Sequence, residues 1–382
     1  MPTGGHPDAI VLGGGIIGLA CARDLAGAGL RVTLLERLHQ GAAASKAAGG
    51  MLAPLFEADG PPALAAASRA ARDLWTEWAP ALEAESGTGV DYDRSGALQV
   101  ALDDEDETFL DHTAAAARRL GEPLAEIGGE ELRRRVPGAA EPRRALLLAG
   151  EHRVDNIRVC AALTTACQRR GVSLRYAVRT DDIERLSGAG GEAIRVSTHA
   201  GALEAGLLVL AAGSWSGRMP GLPALPVRPV RGQMALLGGI DWPWKGILRR
   251  RDVYLIRRGA SDLVVGATVE EAGFAAHPTL GGAVTLLARA RTLLPALAEA
   301  RLEAVWAGLR PGTPDQLPLL GRLPGWPVLA ATGHYRSGIL LAPWTALHVA
   351  RLAVQAPATA GEDLAPFAPG RFTAESDEME RV

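Results

Sequence analysis

The chain opens on an apolar run, Ala9-Ile10-Val11-Leu12, that enters the glycine-rich stretch Gly13-Gly14-Gly15-Ile16-Ile17-Gly18. A helical pattern follows, then a second apolar run, Val32-Thr33-Leu34-Leu35, which ends in Glu36. Strand, glycine turn, helix, strand and acid in that order make the dinucleotide-binding pattern. Gly13 gives the tight turn, Gly15 leaves room for a pyrophosphate, and Gly18 lets helix and strand pack closely. The helix would aim its first N–H groups and positive dipole end at the phosphates. Glu36 lies 23 positions after Gly13. There a carboxylate can accept from both hydroxyls of an adenosine ribose, and it would repel a 2′-phosphate. The pattern does not separate NAD from FAD. The competing reading is a glycine-rich turn in an ordinary α/β domain; the complete strand–helix–strand setting favours binding.

Periodicity predicts the remaining elements. Pro61 to Glu85 reads as a helix, with Leu64, Ala67, Ala71, Leu74 and Trp78 on one apolar face. Glu105 to Leu120 is a second helix, stopped by Gly121. Asp155 is placed to cap a helix running to Arg170, with Val159, Leu163 and Ala166 inward. Strands are expected at Ser173–Val178, Ala193–Thr198 and Leu207–Ala211, with an exposed hairpin or loop at Leu186–Gly191. The run Gly206 to Ala211 suits the centre of a parallel sheet. From Pro226 to Thr268 the texture is short antiparallel strands; Gly281 to Ala300 returns to helix. Trp306 to Leu352 reads as loop, strand and a final helix, and a loosely held tail is expected beyond Pro357.

These pieces predict an α/β fold in which a Rossmann-type domain is interleaved with an antiparallel-sheet domain. Residues 1–86, 148–222 and 305–356 would form the nucleotide-binding domain, residues 87–147 and 223–304 the second domain, and 357–382 the tail. Such interleaving places a ligand in the crevice between domains.

Composition narrows the classes. A chain of 382 residues suggests about two domains. With a net charge of −3, no global field recruits nucleic acid or an anionic membrane. The runs Arg133-Arg134-Arg135 and Arg249-Arg250-Arg251 read as local solvated faces. Cys21, Cys160 and Cys167 give no disulfide framework and read as small buried hydrophobes in a reducing cytoplasm. The start lacks signal-peptide features, and Ile10 to Ala22 is too short and glycine-rich to span a bilayer. No zinc-type spacing, serine nucleophile elbow or Gly-Lys-Ser phosphate loop is present, so no metal site is expected.

Four segments carry a family likeness: the opening pattern through Glu36; Ser45-Lys46-Ala47-Ala48-Gly49-Gly50-Met51-Leu52; Leu210-Ala211-Ala212-Gly213-Ser214-Trp215-Ser216; and a C-terminal pair. That pair is Trp306-Ala307-Gly308-Leu309-Arg310-Pro311-Gly312-Thr313-Pro314-Asp315 and His334-Tyr335-Arg336-Ser337-Gly338-Ile339-Leu340. Over residues 8 to 355 the chain resembles the D-amino-acid oxidase and sarcosine oxidase group of FAD enzymes. The C-terminal pair is most similar to the glycine oxidases of bacterial thiamine biosynthesis.

The resemblance implies roles. Ile16, Ile17, Glu36 and Arg37 would hold the ADP half of FAD, and Thr180 would contact the adenine through its backbone. Ala44, Ser45, Gly49, Gly50 and Met51 would approach the diphosphate and flavin, with Gly213 also on the cofactor. His334, Tyr335, Arg336, Ser337, Gly338, Ile339 and Leu340 would wrap the flavin pyrimidine. Gly338 precedes a helical run, whose N–H groups can face a ring edge that turns anionic on reduction; the alternative is an ordinary helix start. Arg310 would grip a substrate carboxylate with two parallel hydrogen bonds, and the Tyr254 hydroxyl would bond the same group. Otherwise Arg310 is a surface arginine in a turn and Tyr254 a packed strand aromatic. Arg336 either adds positive charge near the flavin or pairs with a carboxylate. With no cysteine in the C-terminal third, FAD is expected to be non-covalent.

Two positions depart from the family pattern: Val269 stands where a relative has methionine, and Asp252 where it has histidine. Valine would enlarge the pocket, and Asp252 would bias it toward a cationic amine. The implied activity is an FAD-dependent oxidase that takes hydride from the α-carbon of glycine or a small amine. The imine would yield glyoxylate and ammonia or feed thiazole synthesis, and dioxygen would become H2O2. Alternatives are a sarcosine or small D-amino-acid oxidase, a dehydrogenase with another electron acceptor, and a nucleotide-binding protein without catalysis. The partners implied are a small amino acid or amine, dioxygen and further copies of the chain in a homo-oligomer.

Overall fold

A computed structural model describes residues 6–39, 43–58, 60–188, 191–354 and 362–372. Its six-stranded sheet is built on the apolar runs, in the order 319–322, 328–332, 207–210, 9–12, 32–35 and 173–175. Ala9–Leu12 pairs in parallel with Leu207–Leu210 on one side and Val32–Leu35 on the other. All three strands are buried along their whole length, which is why each reads as a continuous apolar run rather than an alternating one. The pleat sends Val11 and Leu34 into a core under helices Ile16–Gly27, Pro62–Ser86, Asn156–Arg169 and Ala342–Val354. It sends Ile10, Leu12 and Leu35 the other way, onto Ile183, Ile194 and Val196 of a three-stranded sheet. Two strands of that small sheet, Thr180–Gly188 and Gly191–Thr198, form a hairpin; its tip, Ala189 and Gly190, lies outside the described residues.

The eight-stranded sheet runs in the order 301–312, 228–238, 262–266, 253–258, 247–250, 97–101, 144–148 and 124–127. It is antiparallel except where Ile247–Arg250 meets Ala97–Ala101. Val253 and Leu255 pack with Leu286, Ala290 and Leu293 of the helix Leu280–Leu293. Tyr254 and Ile256, on the opposite face, adjoin the core of the helix Asp104–Leu120. Strand alternation therefore turns Tyr254 away from the face covered by Leu280–Leu293.

Several expectations need correction. Residues 301–312 form a strand, not a loop. It is an edge strand whose first four residues are exposed, so no apolar run announces it. Arg249 is buried, its guanidinium 3.4 Å from the Phe56 ring centre and its Nε bonded to Gln99 Oε1 at 2.7 Å. Arg250 and Arg251 pair with Asp106 and Glu105, so this run is not a solvated face. The expected loose tail does not hold for residues 362–372. Leu364 and Phe367 are buried in the first core, and Arg371 pairs with Asp315 at 2.7 Å. Residues 355–361 and 373–382 lie outside the described residues. All three cysteines are free and buried, and burial pushes the Cys160 and Cys167 thiols up to about 12. Among the described residues no helix is long and apolar enough to cross a membrane.

Candidate active site

A cleft of about 360 Å³ is lined by both large sheets and by the loops that follow their strands. Gly13, at φ +112°, makes the first turn, where an added Cβ would lie 2.3 Å from the Ala211 carbonyl oxygen. Gly18 does not line the cleft; a Cβ there would lie 1.9 Å from Gly13 O, so its place is helix–turn packing. Gly15, Ile16 and Ile17 line the cleft, and the Ile16 N–H donates to Ser45 Oγ at 2.9 Å. Glu36 Oε2 accepts from the Gly14 N–H and Oε1 from the Leu38 N–H, each at 2.7 Å. These bonds hold the carboxylate at the rim and leave lone pairs for a diol. Arg37 stacks its guanidinium 3.7 Å from the Trp215 ring centre. Thr180 and Gly213 complete this end.

The segment Ala44, Ser45, Gly49, Gly50 and Met51 also lines the cleft. It is tied down from behind: Val154 N donates to Gly50 O at 2.8 Å, and Asn156 Nδ2 to Ser45 O at 2.6 Å.

The C-terminal segment brings His334, Tyr335, Arg336, Gly338 and Ile339 to the cleft, while Ser337 and Leu340 are buried behind it. Tyr335 holds φ +47°, a conformation that costs about 1–3 kcal/mol in a non-glycine residue; its N–H donates to Pro311 O at 2.8 Å. Leu341 N closes a turn on Ser337 O at 2.8 Å, ahead of the helix Ala342–Val354. Among the described residues no acceptor pairs with the N–H groups of Gly338, Ile339 or Leu340. Three adjacent donors at a helix start make an anion-seeking site. The Leu340 carbonyl is fixed by Trp75 Nε1 at 2.9 Å. Burial lowers the pKa of His334 to about 3, so its imidazole is neutral, with Nε2 and Thr345 Oγ1 2.9 Å apart. Arg336 pairs with Glu57 at 3.3 Å, the carboxylate-pairing alternative, although it still borders the cleft.

Arg310 and Tyr254 meet at the other end. The Arg310 guanidinium lies over Gly232, where a Cβ would stand 2.2 Å from Nη1. Nη1 donates to Thr268 O at 3.0 Å and to Arg231 O at 3.5 Å; Nε and Nη2 have no partner among the described residues. Tyr254 packs on Gly266 and Gly49 and donates to Met234 Sδ at 3.3 Å. Burial raises its phenol pKa, against the Arg310 charge, so it stays a donor. Glu36 is the only acidic residue among the described lining residues. Two sequence expectations fail here. Val269 is 60% exposed and does not line the cleft, and Asp252 pairs with Arg289 at 3.0 Å outside the cleft. Sequence reasoning missed Met234, Gly232 and Gly308, which line the Arg310 end. Met234 faces Gly266 and Trp306 only through sheet register, and no local signal carries that.

Unpaired donors at Gly338–Leu340, glycines where a Cβ would collide, and a rim carboxylate suit a flavin dinucleotide. Residues 8–352 match the family described as FAD dependent oxidoreductase. The chain belongs to that family. Membership resolves the choice between NAD and FAD that the glycine pattern left open. Among relatives of this oxidoreductase, a glycine oxidase of Pseudomonas aeruginosa is 37% identical over 339 residues, covering 87% of this chain and 91% of that protein. A bifunctional protein ThiO/ThiG of Nostoc sp. is 34% identical and covers 91% of this chain, which spans only 53% of that relative's length. The crystal structure of glycine oxidase from Geobacillus kaustophilus matches with a TM-score of 0.88 at 31% identity, over 96% of this chain and 99% of that one.

Proposed function

We propose that this FAD-dependent oxidoreductase oxidises glycine or a similarly small amine at the α-carbon, with Arg310 and Tyr254 holding the substrate carboxylate. The observation that carries this reading is the Arg310 guanidinium, anchored at Nη1 and with Nε and Nη2 unpaired, beside the protonated Tyr254 hydroxyl. Two N–H groups of one guanidinium suit the two oxygens of a carboxylate. Bound FAD supplies the hydride acceptor and returns the electrons to dioxygen as H2O2.

The chain's own residues do the rest by positioning and electrostatics. Arg310 puts positive charge where no lining carboxylate answers it, so a substrate amine there loses its proton more readily. A neutral amine can use its lone pair to push hydride from the α-carbon. His334 stays uncharged and adds no competing field. The donors at Gly338, Ile339 and Leu340 are set to stabilise negative charge gained by the flavin. In this reading Ile16, Ile17, Glu36, Arg37 and Thr180 hold the nucleotide half, and Ser45 through Met51 the diphosphate and ring, without a covalent link. The imine leaves to hydrolyse to glyoxylate and ammonia, or to feed thiazole synthesis, as the ThiO/ThiG relative suggests.

The buried free cysteines suit a reducing cytoplasm, and light scattering tests the homo-oligomer. Oxygen uptake with glycine, sarcosine, D-alanine and D-proline ranks the substrates. Arg310→Ala should cost ~2–4 kcal/mol, roughly 30- to 1000-fold in kcat/KM, with FAD retained. Intact glycine turnover in that variant would refute the assignment.

A further inference from the structure

The shorter of the two bonds that orient the Arg310 guanidinium goes to a backbone carbonyl, Thr268 O at 3.0 Å; the other, to Arg231 O, is 3.5 Å long. Thr268 stands where the chain has just left the strand Asp262–Gly266, so something must hold it. Gln233, fully buried on the neighbouring strand, does so twice. Its N–H donates to Thr268 Oγ1 at 2.8 Å, and its carbonyl accepts from Thr268 N at 3.2 Å. The Thr268 hydroxyl in turn donates to Glu270 Oε1. Gln233 Nε2 reaches the same oxygen at 2.7 Å, and Arg231 Nε meets Glu270 Oε2 at 3.0 Å. Gln233 Oε1 accepts from Thr279 N at 2.8 Å. The next helix is shaped around this amide, since a Cβ on Gly282 would lie 2.0 Å from Gln233 Nε2. Every polar atom of the Gln233 side chain is thus used within one closed network, which reaches Arg310 chiefly through the Thr268 carbonyl and at longer range through that of Arg231.

We propose that Gln233, Thr268 and Glu270 are positioning residues for carboxylate binding: their network sets the Thr268 carbonyl, which aims Arg310. The inference rests on Arg310 as the carboxylate site. A merely structural network would affect stability; a positioning network affects the affinity for carboxylates.

The test uses the FAD-loaded protein, with acetate as a carboxylate probe read by the flavin absorbance change, beside steady-state kinetics with glycine. Thr268→Val removes the hydroxyl and keeps the carbonyl. It should raise the acetate Kd and the glycine KM together by about tenfold, with kcat changed less than about threefold. Thr268→Ser should restore both. Glu270→Gln, at a less buried position, should shift acetate and glycine in the same direction and decides the matter if Thr268→Val fails to fold. Acetate Kd and glycine KM within about twofold of wild type in the folded variants, whatever the change in Tm, would overturn the proposal. Arg310→Ala separates the two levels. If it abolishes acetate binding while Thr268→Val does not weaken it, only this inference falls. If Arg310→Ala leaves acetate binding intact, the carboxylate reading falls and takes this inference with it.

Discussion

Replacing Glu151 by glutamine should stabilise the protein, and by more as the pH rises. Glu151 is 1% exposed. Its Oε1 accepts from the Leu55 N–H at 3.0 Å, and Oε2 has no hydrogen-bond partner among the described residues. Burial raises its pKa; the Leu55 N–H and the charges of Arg249 and Arg72 oppose this only in part, and the result is about 8 against an ordinary 4.5. Between those values the folded chain keeps a proton that the unfolded chain releases, so stability falls as pH rises through that window. At pH 7 the penalty is about 3 kcal/mol, and at pH 5 about 1 kcal/mol, taking ~1.4 kcal/mol per pH unit above the unfolded value. Glutamine keeps an oxygen for Leu55 and removes the titration. Urea unfolding of the FAD-loaded wild type and Glu151→Gln at pH 5, 6, 7 and 8 measures the difference directly. A gain that does not change with pH would show that the carboxyl ionises normally. A loss that deepens with pH would show that the arginines hold it charged.

Two other perturbations probe the fold. Phe367→Ala empties a buried site 5.2 Å, centre to centre, from the Trp344 ring and should cost ~3–5 kcal/mol in urea unfolding; an unchanged midpoint would mean that 362–372 is not docked. Gly18→Ala drives a methyl onto the Gly13 carbonyl, backbone against backbone. The purified variant should lose its yellow colour on gel filtration, and a normal flavin content would refute the packing argument.

What could be read from the chain alone was whatever is local. The turn between Ala9–Leu12 and Ile16–Gly27 needs glycines within a few residues of one another, so its chemistry is contiguous. The Asp155 cap is equally local, and its side chain accepts from Ile157 N and Arg158 N. What stayed hidden depends on partners far along the chain. Arg310 owes its orientation to Thr268, 42 positions away. Arg249 looked solvated because three arginines stand in a row, yet strand alternation sends it inward onto Phe56 and Phe109. Phe367 sits in a polar, proline-containing stretch whose periodicity is too short to register. The roles expected of Val269 and Asp252 failed for a related reason: position in the sequence says which strand a residue ends, not which way the chain leaves it.

Trp75, in the first third of the chain, donates its indole N–H to the carbonyl of Leu340. The central strand Ala9–Leu12 likewise waits for Leu207–Leu210 to flank it. The glycine turn is thus flanked only once residue 210 has been made, and the donors at Gly338–Leu340 come later still. A polypeptide cut short before residue 338 lacks part of the cleft lining and should purify colourless.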